Sequence, residues 1–170
     1  MDSTTLRNLQ APIKEKYRER PESALIQLRA QGSLDDPSGL SCSVETGRAL
    51  VKAGLHPATG GDGALVCSGD MLLQALVACA GVTLRAVATS TGIPLAGGSI
   101  VAEGDLDFRG TLGVDRDVPV GFQRIRLRFA LSGDLSSEQL STLQKLTERY
   151  CVVYQTLAAG VKPETHFVRI

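Results

Sequence analysis

The chain has 170 residues, 43% of them hydrophobic, which is enough to build a core without disulfide cross-links. Its 18 Lys and Arg residues equal its 18 Asp and Glu residues, so it lacks the positive charge that nucleic-acid binding requires. The first 20 residues are mostly polar and contain no apolar stretch of the signal-peptide type. We therefore expect one cytoplasmic domain over residues 1–170, with no nucleic-acid partner.

The four cysteines are too few and too widely spaced for a secreted disulfide scaffold, so we expect them to begin as thiols. Only two histidines are present, and no Cys-x-x-Cys pair occurs. This composition predicts neither a metal site nor a cofactor. The cysteines are therefore used for packing or for redox chemistry.

The first third of the chain reads as an arm followed by short strands. Residues 1–22 are charged and contain prolines, which favours an N-terminal arm. Strand-like stretches follow at 24–30, 40–46 and 50–55, and turn-forming residues at 35–39 make the first two a predicted hairpin.

A long helix is predicted next. Ser68 is its expected cap, Asp70 lies in the first turn where the helix dipole favours a carboxylate, and Gly92 supplies the stop. Residues 71–88 are apolar nearly all round, which approaches the length of a membrane span. Because Arg85 would be costly in lipid, we expect a helix buried inside the protein and no membrane partner.

The second half alternates strands and helices. Stretches 100–109 and 124–131 alternate apolar with charged residues, and the acidic residues of the first are expected to pair with the arginines of the second. A helix opens at Ser136 with a capping box, has an apolar stripe from Leu140 to Leu157, and is ended by Gly160 and Pro163. Residues 165–170 suit a closing strand. The fold class is α+β with an antiparallel sheet and a buried central helix.

Most free cysteines pack as small hydrophobic residues, and we interpret Cys42 as a core residue and Cys67 as a bystander. Cys79 and Cys151 differ because their segments resemble known motifs. The stretch SGDMLLQALVACAG, ending at Gly81, resembles the central helix of the OsmC/Ohr family, and ERYCVVYQTL, ending at Leu157, resembles its second cysteine motif. The early stretch APIKEKYR is similar to the arm of one OsmC-like branch.

This resemblance implies an intertwined homodimer that reduces organic hydroperoxides. By the resemblance, Cys79 is the peroxidatic thiolate, Cys151 is the resolving thiol, and an external dithiol restores the pair. Two thiols in one site suit this chemistry, because a sulfenic acid is reversible when a second thiol is near.

Peroxidases of the family hold the thiolate with an arginine paired to a glutamate. At the corresponding helix end this chain has Asp70, which is either a shorter substitute for the glutamate or a partner of the helix dipole. Arg29 and Arg48 are alternatives for the arginine, and Val152 stands where the family often has proline.

Two other functions stay open at this point. One is a non-catalytic OsmC-like protein that binds a small apolar ligand in its cavity and uses the cysteines for packing. The other is a structural or interaction protein whose cysteine pair senses oxidation.

Overall fold

A computed structural model describes residues 50–113 and 115–169, the strands 32–33 and 41–45, and positions 2–5, 7–8, 11 and 19. Only the backbone is described for the two early strands, for Leu50 and for Arg109. The predicted strand at 24–30, most of the arm, and Arg29 and Arg48 lie outside the described residues.

The first sheet comes from the N-terminal part of the chain. Its strands are β1 (Gly32–Ser33), β2 (Ser41–Glu45), β3 (Leu50–Gly54) and β4 (Val66–Cys67), side by side in that order. β1, β2 and β3 pair antiparallel, whereas β4 runs parallel to β3. The strands predicted at 40–46 and 50–55 are therefore confirmed.

The central helix α1 (Ser68–Thr91) follows β4 without a loop. Its N-cap is Cys67, which has an extended backbone and makes no side-chain cap bond. The prediction of Ser68 as the cap is wrong, because β4 continues into the helix and leaves Ser68 as the first helical residue. The predicted stop is confirmed: Gly92 has a φ of 70° and its N–H donates to the carbonyls of Ala88 and Thr89.

One stripe of α1 is buried within the chain, at intervals of three or four residues that keep it on one face. It consists of Leu76, Ala80, Leu84, Val87 and Ala88. Leu143 packs against the last three to form the core cluster. Among the described residues α1 is the one helix long and apolar enough to cross a membrane, a test that the core helix of a soluble protein also meets. Much of its apolar surface stays open in the single chain, and Val82 is 73% exposed.

The second sheet is the antiparallel pair β5 (Gly97–Asp105) and β6 (Arg124–Ser132). The predicted pairing of acids and arginines is confirmed at Arg126, which binds Asp105 through Nη2 at 2.7 Å and Glu103 through Nε at 3.4 Å. The prediction of strand structure up to residue 109 is wrong. β6 begins at Arg124, opposite Asp105, so the next residues have no partner strand and form the short helix α2 (Phe108–Thr111).

Two helices end the described chain. In α3 (Ser137–Tyr150) the predicted capping box is confirmed, since Ser136 and Gln139 bond each other through both side chains and both N–H groups. The prediction of one unbroken helix from Ser136 to Gly160 is wrong, because Cys151 interrupts it and α4 (Val152–Ala159) follows.

The closing strand is absent from the described residues 161–169, which have no regular structure. A strand forms only where a neighbouring strand takes up its N–H and C=O groups. No described strand of the same chain lies beside this segment.

Candidate active site

The structure brings Cys79 and Cys151 together. Cys79 lies on α1 about three turns from its start, and Cys151 lies at the junction of α3 and α4, two helices that both pack on α1. The thiol of Cys151 bonds the Cys79 sulfur. Cys151 is fully buried, while Cys79 is half-buried. The two motif cysteines therefore form one site, with the more accessible sulfur on α1.

The backbone turn at Cys151 creates free N–H donors beside Cys79. Cys151 has an extended conformation, with a φ of −74° and a ψ of 110°. Its own N–H donates to the Thr147 carbonyl at 2.9 Å, and its carbonyl accepts the Gln155 N–H at 2.9 Å. The first N–H groups of a new helix have no partner within it, and no side chain caps α4.

Val152 is the first residue of α4, the position where proline is favoured because its missing N–H would be unpaired. The proline that the family often has at this position and the valine of this chain therefore both fit the same turn. Valine differs in keeping its N–H, and that N–H bonds the Cys79 sulfur.

Four donors around the Cys79 sulfur lower its pKa. Burial by itself raises the pKa of Cys79. Hydrogen bonds from the Val153 N–H, the Cys151 thiol, the Val152 N–H and the Thr83 hydroxyl outweigh burial, so the pKa is lowered from its ordinary value. The amides act at the N-terminus of α4, where the helix dipole also favours a negative sulfur.

The pKa of Cys151 moves the other way. Burial is the main cause of its raised pKa, and the bond to the Cys79 sulfur adds to it. The N–H groups of Tyr154 and Val153 oppose this rise without cancelling it. In this pair Cys79 is therefore the more readily ionised thiol, and Cys151 keeps its proton to higher pH.

Asp70, the third predicted site residue, is not beside the pair in a single chain. It is exposed in the first turn of α1, nine residues before Cys79. That spacing puts it about 14 Å away along the axis and on the opposite face of the helix. Its predicted role would require a second chain to bring it to the cysteines.

Asp70 borders a separate cavity of about 370 Å³ that also contains Cys67 and His56. His56 stacks on Phe108 with ring centres 4.9 Å apart, and its Nδ1 accepts the Ala58 N–H at 3.0 Å. No group of three possible metal ligands occurs among the described residues.

Several residues of the site were not predicted from the sequence. They are Thr83, the amides of Val152 and Val153, and Gln155. The position of Thr83 four residues after Cys79 was a usable signal, because that spacing places two side chains together on a helix. Two adjacent β-branched residues after Cys151 were a weaker sign that the helix breaks there.

A larger cavity, of about 930 Å³, lies between α1, β6 and α3. Its walls are mainly apolar and include Leu76, Leu84, Leu127 and Phe129, and Cys151 borders it. Thr147 also lines it, is 3% exposed, and has an Oγ1 without a hydrogen-bond partner. A buried hydroxyl without a partner favours the binding of a ligand or a water that supplies the missing hydrogen bond.

Known proteins share this architecture. The family model of OsmC-like protein matches residues 61–166. The chain superposes on the OsmC-like protein of Mycoplasma pneumoniae with a TM-score of 0.64 and 16% identity, over 78% of this chain and 88% of that one. It superposes on an organic hydroperoxide resistance protein OsmC of Legionella pneumophila with a TM-score of 0.60 and 18% identity, over 78% and 90%.

A third structure is an organic hydroperoxide resistance protein of Elizabethkingia anophelis, with a TM-score of 0.60 and 14% identity over 78% of this chain and 89% of that one. No curated protein sequence matches the chain. At these identities the structural likeness shows the fold, whereas the family model covers more than half of the 170 residues. The chain therefore belongs to the family of OsmC-like proteins.

Proposed function

We propose that the protein is a thiol-dependent peroxidase that reduces organic hydroperoxides. The observation that carries this proposal is the surroundings of Cys79: four hydrogen-bond donors lie around its sulfur, and one of them is a second thiol. Thiolate is the reactive form of cysteine. A structural cysteine would need neither the lowered pKa nor the neighbouring thiol.

The proposed reaction has three steps. The Cys79 thiolate attacks the outer oxygen of the hydroperoxide, the O–O bond breaks, and the alkoxide leaves as an alcohol after taking a proton. The sulfenic acid of Cys79 then condenses with the Cys151 thiol, which forms a disulfide and releases water. An external dithiol reduces the disulfide and is itself oxidised.

The low pKa of Cys79 and the raised pKa of Cys151 suit these roles. A resolving thiol that stays neutral does not compete for the peroxide, because thiolate is the attacking form of cysteine. The names of the Legionella and Elizabethkingia relatives, both organic hydroperoxide resistance proteins, agree with this substrate class.

The working unit that we propose is a cytoplasmic homodimer. In one chain α1 buries a single stripe, and Val82 and Leu72 are 73% and 39% exposed. A second copy packed on this face would remove that apolar surface from water. Any contribution of Asp70 to the cysteine site would then come from the second copy.

The test is a count of free thiols before and after one equivalent of cumene hydroperoxide, joined to a steady-state assay with dithiol reductants. We expect two thiols per chain to disappear and to return on reduction. A Cys67→Ser variant is the control and should behave like the wild type. No loss of thiols would reject the peroxidase.

The larger cavity favours a second candidate function, the binding of a small apolar ligand. Its size of about 930 Å³ and the unpartnered hydroxyl of Thr147 fit a molecule with an apolar body and one polar group. In that case the thiols would survive peroxide treatment, and an apolar molecule would copurify and be detected by mass spectrometry of the extracted protein.

A further inference from the structure

The junction of α3 and α4 takes carbonyls in the last turn of α3 away from their usual partners, and the Glu148 carbonyl is one of them. In a continuous helix the Glu148 carbonyl would accept the Val152 N–H. Here Cys151 turns the chain, and that N–H bonds the sulfur of Cys79. The side chain of Gln155 replaces the Val152 N–H as the donor, since its Nε2 donates to the Glu148 carbonyl at 2.8 Å. This one bond joins the last turn of α3 to the first turn of α4.

We propose that Gln155 is a positioning residue that fixes the first turn of α4 so that its free N–H groups bond the Cys79 sulfur. This inference rests on the proposed function, because it concerns the same thiolate. Gln155 itself does not touch the reacting atoms, and it acts through the orientation of Val152 and Val153.

The helix α4 needs such a bond to hold its direction. It has eight residues, no side-chain cap, and no buried residue in the single chain. Isolated helices of this length are marginal in water, and hydrogen bonds to sulfur weaken when the donor angle changes. A small rotation of α4 about Cys151 would therefore separate the amides of Val152 and Val153 from Cys79.

The charged side chains on the elements around Cys79 have other partners, so the pKa of Cys79 reports on the position of α4. Cys151 is the ionisable side chain that bonds the sulfur directly. On α3, Glu148 accepts a side-chain bond from a neighbouring glutamine, and Arg149 lies over an aromatic ring. On α1, Arg85 donates to the Leu95 carbonyl. On β5, the two carboxylates of the strand are bound to Arg126.

The experiment measures the alkylation of Cys79 by iodoacetamide in the full, reduced chain, peptide by peptide, as a function of pH. In Gln155→Met the side chain keeps its length but cannot donate. We expect the midpoint of the profile to move to higher pH and alkylation at pH 7 to slow by about three- to tenfold, because less thiolate is present. Hydrogen exchange of the Val152 and Val153 amides should become faster.

The matched control is Gln144→Met. Gln144 donates to the same residue, but to the side-chain Oε1 of Glu148 at 2.9 Å, and so does not bridge the junction. Its alkylation profile should equal that of the wild type. Gln155→Leu, which has no donor and adds no charge, should repeat the change seen in Gln155→Met. Because Gln155 is exposed, both variants should fold.

An unchanged profile in both Gln155 variants would overturn the inference, and so would an equal change in Gln144→Met. Peroxide turnover is measured in parallel. If the wild type consumes no peroxide while the alkylation profile moves as expected, the peroxidase proposal fails and the positioning role stands. If turnover is present and the profile does not move, the positioning role of Gln155 fails and the peroxidase proposal stands.

Discussion

The sulfur of Cys79 accepts a hydrogen bond from the thiol of Cys151, and the two cysteines have opposite changes in pKa. Both are partly or fully buried, which by itself raises both values. The difference comes from the hydrogen bonds. Cys79 receives two amides, a hydroxyl and a thiol, whereas Cys151 receives two amides that do not offset its burial and donates its own proton to Cys79. The fold thus gives the two cysteines of one site different tendencies to ionise.

This difference predicts selective alkylation of the reduced protein. At pH 7 iodoacetamide should label Cys79 at least about tenfold faster than Cys151, because alkylation requires thiolate and an accessible sulfur. The Cys79 rate should reach its plateau at a lower pH than that of a free cysteine, whose pKa is about 8.5. Peptide mass spectrometry follows each site separately, and faster labelling of Cys151 would contradict the assignment.

Serine variants of the two cysteines should have different fates under peroxide. Cys79→Ser should lose all fast reaction with hydroperoxide. Cys151→Ser should consume about one equivalent per chain and stop, with Cys79 as a sulfenic acid that a dimedone-type reagent traps. Wild type should instead form a Cys79–Cys151 disulfide that dithiols reverse. Wild-type turnover in Cys79→Ser would reject the mechanism.

Thr83→Val removes one donor to the Cys79 sulfur while keeping the shape of the side chain. The pKa of Cys79 should rise, because a bond that favours the thiolate is lost. We expect alkylation at pH 7 to slow by about two- to threefold. Thr89→Val, a change of the same kind near the far end of α1, is the control and should leave the rate unchanged.

The open face of α1 predicts a dimer. Light scattering at micromolar concentration should give a mass of about 36 kDa, twice the 18.0 kDa of one chain. Val82→Glu places a charge on the exposed part of this face and should shift the protein towards monomer, because burying an unpaired carboxylate is costly. A wild-type protein that is folded and monomeric would refute the dimer.

A core variant tests how α3 is held on α1. Leu143 is 1% exposed and packs against the core cluster of α1. Leu143→Ala should lower the free energy of unfolding by about 2–5 kcal/mol, measured by denaturant titration. The surface variant Lys145→Ala on the same helix should change it by less than about 0.5 kcal/mol. Equal losses would mean that α3 is not docked as described.

Features that depend on neighbouring residues could be predicted from the amino-acid sequence. The apolar run and Gly92 defined the central helix to within a few residues of its bounds Ser68–Thr91. Alternating charges predicted the pairing at Arg126, and the Ser136 box predicted the start of α3. Each of these depends on residues close in the chain or on a simple period, and the two cysteine motifs identified the family.

Tertiary structure alone decided the chemistry around the thiolate. The helical pattern continues through Tyr150, Cys151 and Val152, so periodicity gave no sign that α4 is a separate helix. The break is stabilised because the freed amides bond Cys79, some seventy residues earlier, and because Gln155 takes the vacated carbonyl. Which amides meet the sulfur is a property of how α4 packs on α1, and a pattern within either segment cannot contain it.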